Sequence, residues 1–397
     1  MTPAFGGQYS IQLSYGRFAR GSKRTGAQSR GLVQRHNPPV ASSGKIRVGI
    51  LFGGQSAEHE ISILSARNVL AALDRSRFEP VLIGVDKNGR WLAQDERRLI
   101  DSASDPRQLH IEPGLPVPIE NTAGRIDIAF PVLHGTLGED GAMQGLFEVT
   151  GIPYVGAGVL GSAVGMDKDV MKRLLRDAGV PVADFRTVRR ERFMADAEAV
   201  CRDLLPLGFP MFSKPANAGS SVGVRKVRDA SALEDAVRHA LQFDTKAVVE
   251  ESIAGREIEL AVLGGEKPLV SIAGEIIVEH PDGFYSYDAK YIDEKGARLE
   301  IPASLPDELL RKGQQLALRA FEVLECEGMA RVDLFLRPDG RFYVNEINTL
   351  PGFTAISMYP KLWAQSGVSP TQLITRLIEL GLERARQRAQ IRRNLLA

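Results

Sequence analysis

Few cysteines, almost no net charge and no long apolar run set the first limits on this chain. Its 397 residues hold two cysteines, Cys201 and Cys326, too few for a disulfide framework, so a reducing compartment is expected. Both sit in helix-like contexts and read as small buried thiols. With 50 basic against 49 acidic residues the formal net charge is +1, without the basic excess of a nucleic-acid binder. No apolar run approaches the roughly 18–20 residues that cross a bilayer, so no membrane partner is expected either. Acids are absent from residues 1–44, which carry Arg17, Arg20, Lys23, Arg24, Arg30 and Arg35. That segment has no apolar secretory core and is broken by Gly and Pro. It reads as a disordered N-terminal extension with no identifiable chemistry.

Ordered patterning begins at Lys45. KIRVGILF ends in Gly53-Gly54 and reads as a buried parallel strand, followed by a helix that Ser56 can cap, with Ile61, Leu64, Val69 and Leu73 at helical spacing. PVLIGVD and IDIAFPVLHG supply further strands, and GLFEVTGIPYVG closes the region. These segments predict a parallel α/β domain over 45–160, with Gly53-Gly54 and His134-Gly135 beyond the carboxyl ends of its strands, where function gathers. Residues 161–248 read as a second unit: helix MDKDVMKRLLRDAG, strand FPMFSKP, a glycine-rich turn and strand VGVRKV. Residues 249–397 hold strand-like EIELAVLG, SIAGEIIVE, RVDLFL and FYVNEIN around the amphipathic helix ELLRKGQQLALRAFEVL, an α+β pattern over antiparallel sheet. RARQRAQIRRN reads as a solvated final helix.

The segment RVDLFLRPDGRFYVNEIN is the most informative. Asp339-Gly340 as a two-residue hairpin loop puts Asp333 opposite Glu346 and Arg331 opposite Asn348. Opposed carboxylates destabilise a strand pair, and a cation resolves the conflict. Asp, Glu and Asn are hard oxygen donors suited to Mg²⁺ shared with phosphates. A three-residue loop would shift the pairing by one, and a solvated acidic face with Arg331 as salt-bridge partner is the plainer alternative. In SKPANAGSSVGV, Lys214 ends a strand before Gly219-Ser220-Ser221, a small polar turn that phosphate oxygens could approach, though such hairpin loops are common. Lys168 stands at a helix start, where an ordinary lysine is solvated. Glu58 and Glu60 fall in a first helical turn, which favours acids whatever their function. His134 lies in a glycine-flanked loop, where histidines are usually exposed. Tyr285, Tyr287, Lys290 and Tyr291 suggest either a water-excluding lid or a strand edge with exposed tyrosines.

In order and spacing, GGQSAEHEIS, LHGTLGEDG, GMDK, KPANAGSSVGV, YDAKY, RVD and NEINTLPGFT resemble the D-alanine–D-alanine ligases of the ATP-grasp superfamily over about residues 45–380. The resemblance implies an N-terminal parallel α/β domain followed by a two-part ATP-grasp fold. The implied activity is ATP-dependent joining of two D-alanines through a D-alanyl phosphate, for peptidoglycan precursors, by a cytoplasmic enzyme, expected as a homodimer. It places Lys168 and Lys214 at the ATP phosphates, Glu250 at adenine and Glu257 at ribose, with Ser221, Ile253 and Phe284 also at the nucleotide. Asp333, Glu346 and Asn348 match ligands of magnesium, usually two ions, with manganese an alternative. Glu58, Ser220 and Tyr291 match the group around the first D-alanine, Lys290, Ser357 and the Met358 amide that around the second carboxylate. Arg331 and the Gly352 amide match the oxyanion pair, and His134 lies near substrate. Rival readings are a D-alanine–D-lactate ligase, against which Tyr291 stands, and a non-catalytic ATP-binding module. Ser213 and Glu251-Ser252 depart from the family pattern and put the lining of the adenine pocket in question.

Overall fold

A computed structural model describes residues 44–102, 105–118, 122, 124–279 and 296–392. The basic extension apart from Gly44, and the segment holding Phe284, Tyr285, Tyr287, Lys290 and Tyr291, lie outside the described residues. Three sheets organise the rest.

The first contains β1 (Ile46–Gly53), β2 (Phe78–Val85), β3 (Trp91–Ala93) and β4 (Ile128–Pro131) in the order β3-β2-β1-β4. β1 runs parallel to β2 and β4, and its Val48, Ile50, Leu51 and Phe52 are buried, as a strand covered on both faces requires. Helix His59–Ala72 packs on it through Ile63, Ala66, Val69 and Leu70. Ser56 does not cap this helix. Its hydroxyl donates to the His134 carbonyl at 2.6 Å and accepts from the Glu58 amide at 3.2 Å, tying the two post-strand loops together. Glu58 itself takes the N-cap position without a side-chain capping bond.

The second sheet is antiparallel, with β5 (Phe185–Arg189), β6 (Met211–Pro215), β7 (Arg225–Val227) and β8 (Lys246–Glu251) in the order β5-β8-β6-β7. The third, also antiparallel, runs β11-β10-β9-β12-β13, formed by β9 (Arg256–Gly264), β10 (Leu269–Val278), β11 (Ala297–Glu300), β12 (Gly328–Leu336) and β13 (Phe342–Asn348). Helix Asp307–Val323 covers one face of it through Ala317, Ala320 and Phe321. Tyr359, Trp363, Leu377 and Ile378, from the last two helices, join one apolar cluster with Val48 and Ile50 of the first sheet and Ala261 and Met329 of the third. That shared core holds the first and third sheets against each other, so side chains from both can face a common cavity.

The β12–β13 hairpin corrects one expectation and reaches the expected pairing by another route. Arg337 bonds Arg341, so the loop is the three residues Pro338, Asp339 and Gly340, with Gly340 at φ +80°. Alone this shifts the register by one, and Leu334 indeed faces Val344. A β-bulge then inserts Asn345, after which Asp333 faces Glu346 and Arg331 faces Asn348. The signal was in the sequence: Phe342, Val344 and Ile347 are buried, and no single alternation links 344 to 347.

Cys326 is buried as expected but sits in the turn before β12, and burial pushes its thiol pKa up. Cys201, in helix Ala197–Leu204, is only half-buried. Among the described residues no helix is long and apolar enough to cross a membrane.

Candidate active site

Two cavities of about 650 and 380 Å³ meet between the sheets. Every described residue that the resemblance placed at the site lines one or both, whereas Glu60 lines neither and pairs with Lys87 at 2.7 Å. Glu58, His134, Arg331, Asn348, Gly352, Ser357 and Met358 face the larger. Lys214, Ser221, Glu250, Ile253, Glu257 and Asp333 face the smaller. Lys168, Ser220 and Glu346 face both.

The smaller cavity is built from strand ends. Alternation along β6 sends Phe212 and Lys214 toward it and turns Ser213 the other way, into the core, where its hydroxyl donates to the Ala236 carbonyl at 3.2 Å. The departure at Ser213 therefore leaves the lining untouched, whereas Glu251 and Ser252 do contribute to it. Glu250, buried on β8, pairs with Lys214 at 2.5 Å and with Lys172 at 2.9 Å. Burial opposes ionisation of Glu250, but the two lysines outweigh it and hold its carboxyl below the usual range. Beyond β6 the chain turns through Ser220 and Ser221 with φ of +49° and +58°. Two successive non-glycine residues in the left-handed region are strained, a feature that gathers at ligand-binding loops. Lys168 starts helix Lys168–Asp177 and is buried rather than solvated. Its ammonium donates to the Ala218 carbonyl at 2.8 Å and lies 3.7 Å from Glu346.

Where the cavities meet, β9, β12 and β13 align Glu259, Asp333 and Glu346 side by side. Arg331 answers them: its guanidinium forks onto Asp333 with both bonds at 2.7 Å and lies 3.1 Å from Glu259. Burial works against that charge, yet Asp333 and Glu259 raise its pKa well above the usual arginine value. Three acids against Arg331 and Lys168 leave a negative excess. Among the described residues, no group of three His, Cys, Asp or Glu side chains is gathered to hold a metal unaided. Two carboxylates and the Asn348 amide fit a divalent cation whose remaining ligands are phosphate oxygens.

In the larger cavity the two acids Glu58 and Glu139 and several small residues stand on loops, beside strands and helices that supply the rest of the lining. Glu58 accepts a short hydrogen bond from the Ser220 hydroxyl, and two glycine backbones crowd its carboxylate. A Cβ at Gly135 or Gly219 would stand 2.7 or 2.8 Å from Glu58 Oε2. His134 is buried, not exposed. Its Nδ1 meets the Leu350 carbonyl at 3.1 Å and its Nε2 the Ser65 hydroxyl at 2.9 Å, so it braces the first sheet's helix against the loop after β13. Burial brings its pKa down to about 4, which keeps the ring neutral. Ser357 opens helix Met358–Gln365, and its Oγ lies 2.7 Å from where a Gly352 Cβ would sit. The helix start thus presents backbone amides to a small anion such as a carboxylate.

Sequence reasoning missed four residues. Glu139, in the same loop as His134, accepts from the Gly135 amide at 3.1 Å, and its other oxygen is buried without a hydrogen-bond partner. Burial, then the charge of Glu58, push its carboxyl well above the usual range. Lys172, one turn beyond Lys168, shares a helix face with Met171 and Leu175, and all three are buried. Glu259 stands two residues beyond Glu257 on β9, a position the family resemblance did not bring out. Lys361, at the larger cavity, gave no signal beyond its place one turn after Met358.

Comparison with known proteins agrees with this geometry. The family model described as D-ala D-ala ligase N-terminus matches residues 47–157, and that described as D-ala D-ala ligase C-terminus matches 174–379. The chain is 53% identical over 359 residues to D-alanine–D-alanine ligase A of Chromobacterium violaceum, covering 86% of this chain and 97% of the relative. It is 49% identical over 366 residues to the D-alanine–D-alanine ligase of Oceanobacillus iheyensis, covering 88% and 98%. Among solved structures, the D-alanine–D-alanine ligase of Coxiella burnetii superposes with a TM-score of 0.75 at 37% identity, covering 87% of this chain and 98% of that one. The VanG D-Ala:D-Ser ligase of Enterococcus faecalis gives 0.74 at 34%, covering 85% and 99%. The second and third sheets are the two halves of an ATP-grasp fold. With its sheets, its paired cavities and its sequence all in accord, the chain belongs to the D-ala D-ala ligase family.

Proposed function

We propose that this chain joins two D-alanine molecules in an ATP-dependent reaction, giving D-alanyl-D-alanine, ADP and phosphate, for bacterial cell-wall precursors. The observation that carries the reading is the shared wall. Lys168, Ser220, Glu259 and Glu346 line both cavities, so a nucleotide in the smaller one points its phosphates at a small carboxylate in the larger.

In this reading Glu58, oriented by Ser220, holds the ammonium of the first D-alanine. That leaves its carboxylate facing the hairpin, where it attacks the γ-phosphorus and ADP departs. Lys168 and Lys214 offset charge on the transferring oxygens, as positioning and electrostatics dominate phosphoryl transfer. Asp333, Glu346 and Asn348 would hold Mg²⁺ or Mn²⁺, one ion or two. Such a cation, when bound, supplies Lewis acidity at those same oxygens. Ser357 and the Met358 amide seat the carboxylate of the second D-alanine. Its amine attacks the acyl phosphate carbonyl, and Arg331 with the Gly352 amide stabilises the tetrahedral oxyanion. The carbon–oxygen bond to phosphate then breaks and the amine loses its proton. Glu250, Glu257, Ser221 and Ile253 are assigned to the nucleoside. Two free cysteines suit action in the cytoplasm.

Phosphate release from ATP tests the reading, with D-alanine alone, L-alanine alone, or D-alanine mixed with D-lactate or D-serine. Release that requires D-alanine and yields the homodipeptide is expected, and release with L-alanine alone refutes the substrate. Arg331→Ala should lower kcat by about 10²–10³-fold. Its affinity for ATP should stay within about threefold, since Arg331 faces the larger cavity. A near-normal rate removes Arg331 from the oxyanion site.

A further inference from the structure

Lys214 lines the smaller cavity, but its charge is already engaged where it stands. Its ammonium is held 2.5 Å from Glu250 Oε1, with Asn345 Oδ1 next at 3.5 Å. The closer it is drawn to a nucleotide phosphate, the less of its charge is left for Glu250, whose side chain is 4% exposed. A carboxylate stripped of its counter-charge at that depth is strongly disfavoured, and the penalty would oppose the move. Left to a single acid and a single lysine, this corner would trap the group the nucleotide needs.

The chain supplies a second lysine. Lys172 is fully buried, lines neither cavity and stands 2.9 Å from the other oxygen of Glu250. It lies one helical turn beyond Lys168, so one helix offers an ammonium to the cavity wall and another to the interior. One lysine would neutralise Glu250, and a second on the same carboxylate is surplus while the nucleotide is absent. Burial pulls the Lys172 pKa down while Glu250 resists, so the surplus is itself disfavoured. The surplus ends once Lys214 turns to a phosphate.

We propose that Lys172 is a positioning residue that keeps Glu250 neutralised while Lys214 passes from that carboxylate to the phosphates of the nucleotide. The proposal rests on the assignment of the smaller cavity to ATP. It predicts a defect concentrated at the phosphates: Lys172 itself lines neither cavity, and Glu250, which it touches and which is assigned to the nucleoside, keeps Lys214 as a partner when Lys172 is lost.

The test compares AMP-PNP, a non-hydrolysable ATP analogue, with adenosine, both titrated calorimetrically at one fixed Mg²⁺ concentration. In Lys172→Met, Lys214 is the remaining partner of Glu250. The affinity for AMP-PNP should fall about tenfold or more, the effect of losing one charged contact, while that for adenosine changes by less than about twofold. In the double variant Lys172→Met/Glu250→Gln the trap is gone, and the ratio of the two affinities should return to within about threefold of wild type. A folded Lys172→Met with unchanged AMP-PNP affinity overturns the proposal. So does a parallel fall for adenosine, which marks a purely structural role, or a double variant that keeps the single variant's ratio. Should Lys172→Met not fold, Glu250→Gln alone decides: freeing Lys214 should raise the ratio, and an unchanged or lower ratio refutes the handover. Wild-type protein that binds no AMP-PNP would instead remove the nucleotide assignment itself.

Discussion

The two cavities solve the problem of buried charge in opposite ways. In the smaller one, charges on strands and a helix form direct ion pairs: Glu250 with Lys172 and Lys214, Asp333 with Arg331. In the larger one, two acids, Glu58 and Glu139, converge on loops, and burial, then the charge of Glu58, push the Glu139 carboxyl up. Paired charges tolerate an empty site. Two acids brought together suit a place that receives a cation, and an amino acid's ammonium is one. The contrast follows what each half is proposed to take, a polyanion on one side and a zwitterion on the other.

Changes confined to the loops that carry Glu58 and Glu139 break this contrast most sharply. Gly135→Ala places a methyl 2.7 Å from Glu58 Oε2 at a backbone φ of +79°, so the carboxylate must move. Misplacement of about 1 Å can cost about 10²-fold, and kcat/KM for D-alanine should fall by at least that much. The KM for ATP should hold within about threefold, and steady-state kinetics varying each substrate in turn separate the two. An equal loss for both substrates would mean that the halves are not independent.

The next effect is on stability. The folded-state pKa of His134, about 4, lies below that of an exposed histidine, so the unfolded chain binds a proton that the folded chain refuses. Stability attributable to this residue is therefore full above about pH 6.5 and declines as pH falls toward 4, by about 2–3 kcal/mol in total. Urea unfolding of wild type and His134→Gln across that range should show the slope shrinking in the variant. An identical slope would assign the acid sensitivity to carboxylates.

The smallest effect has the opposite sign. The Glu139 pKa is raised on folding, so its contribution is fully present below the ordinary glutamate pKa and is lost as pH rises. Glu139→Gln should stabilise the protein more at pH 8 than at pH 5, read as a difference of about 1–2 °C between the melting-temperature gains at the two pH values. No change with pH would place a counter-charge beside Glu139 and end the contrast drawn above.

How much could be read in advance also divides along this line. β9, β12 and β13 announce themselves by alternation, and the paired acids of the hairpin follow from geometry even though turn and bulge were both misjudged. The loops that carry Glu58 and Glu139 resisted. His134 is bound by Ser65 and Leu350, 69 and 216 residues away, and nothing near it in the chain says that it is buried. Ser56 looked like a helix cap because local sequence favours that role, but tertiary contact with the His134 carbonyl won. Glu58 and Ser220 lie 162 residues apart, and only the family resemblance joined them before the fold did. Lys172 lies on the buried face of its helix with Met171 and Leu175, a placement the sequence pattern did not single out.

The β-bulge at Asn345 has a consequence for how densely a rigid element can be furnished. In β13 both Asn345 and Glu346 face the smaller cavity as consecutive residues, which a regular ladder would send to opposite sides. One stretch of backbone thereby offers an amide oxygen to Lys214 and, at the next position, a carboxylate within 3.7 Å of Lys168. Removing Asn345 would give a smoother strand that still aligns Glu346 with Asp333 but carries one instrument fewer.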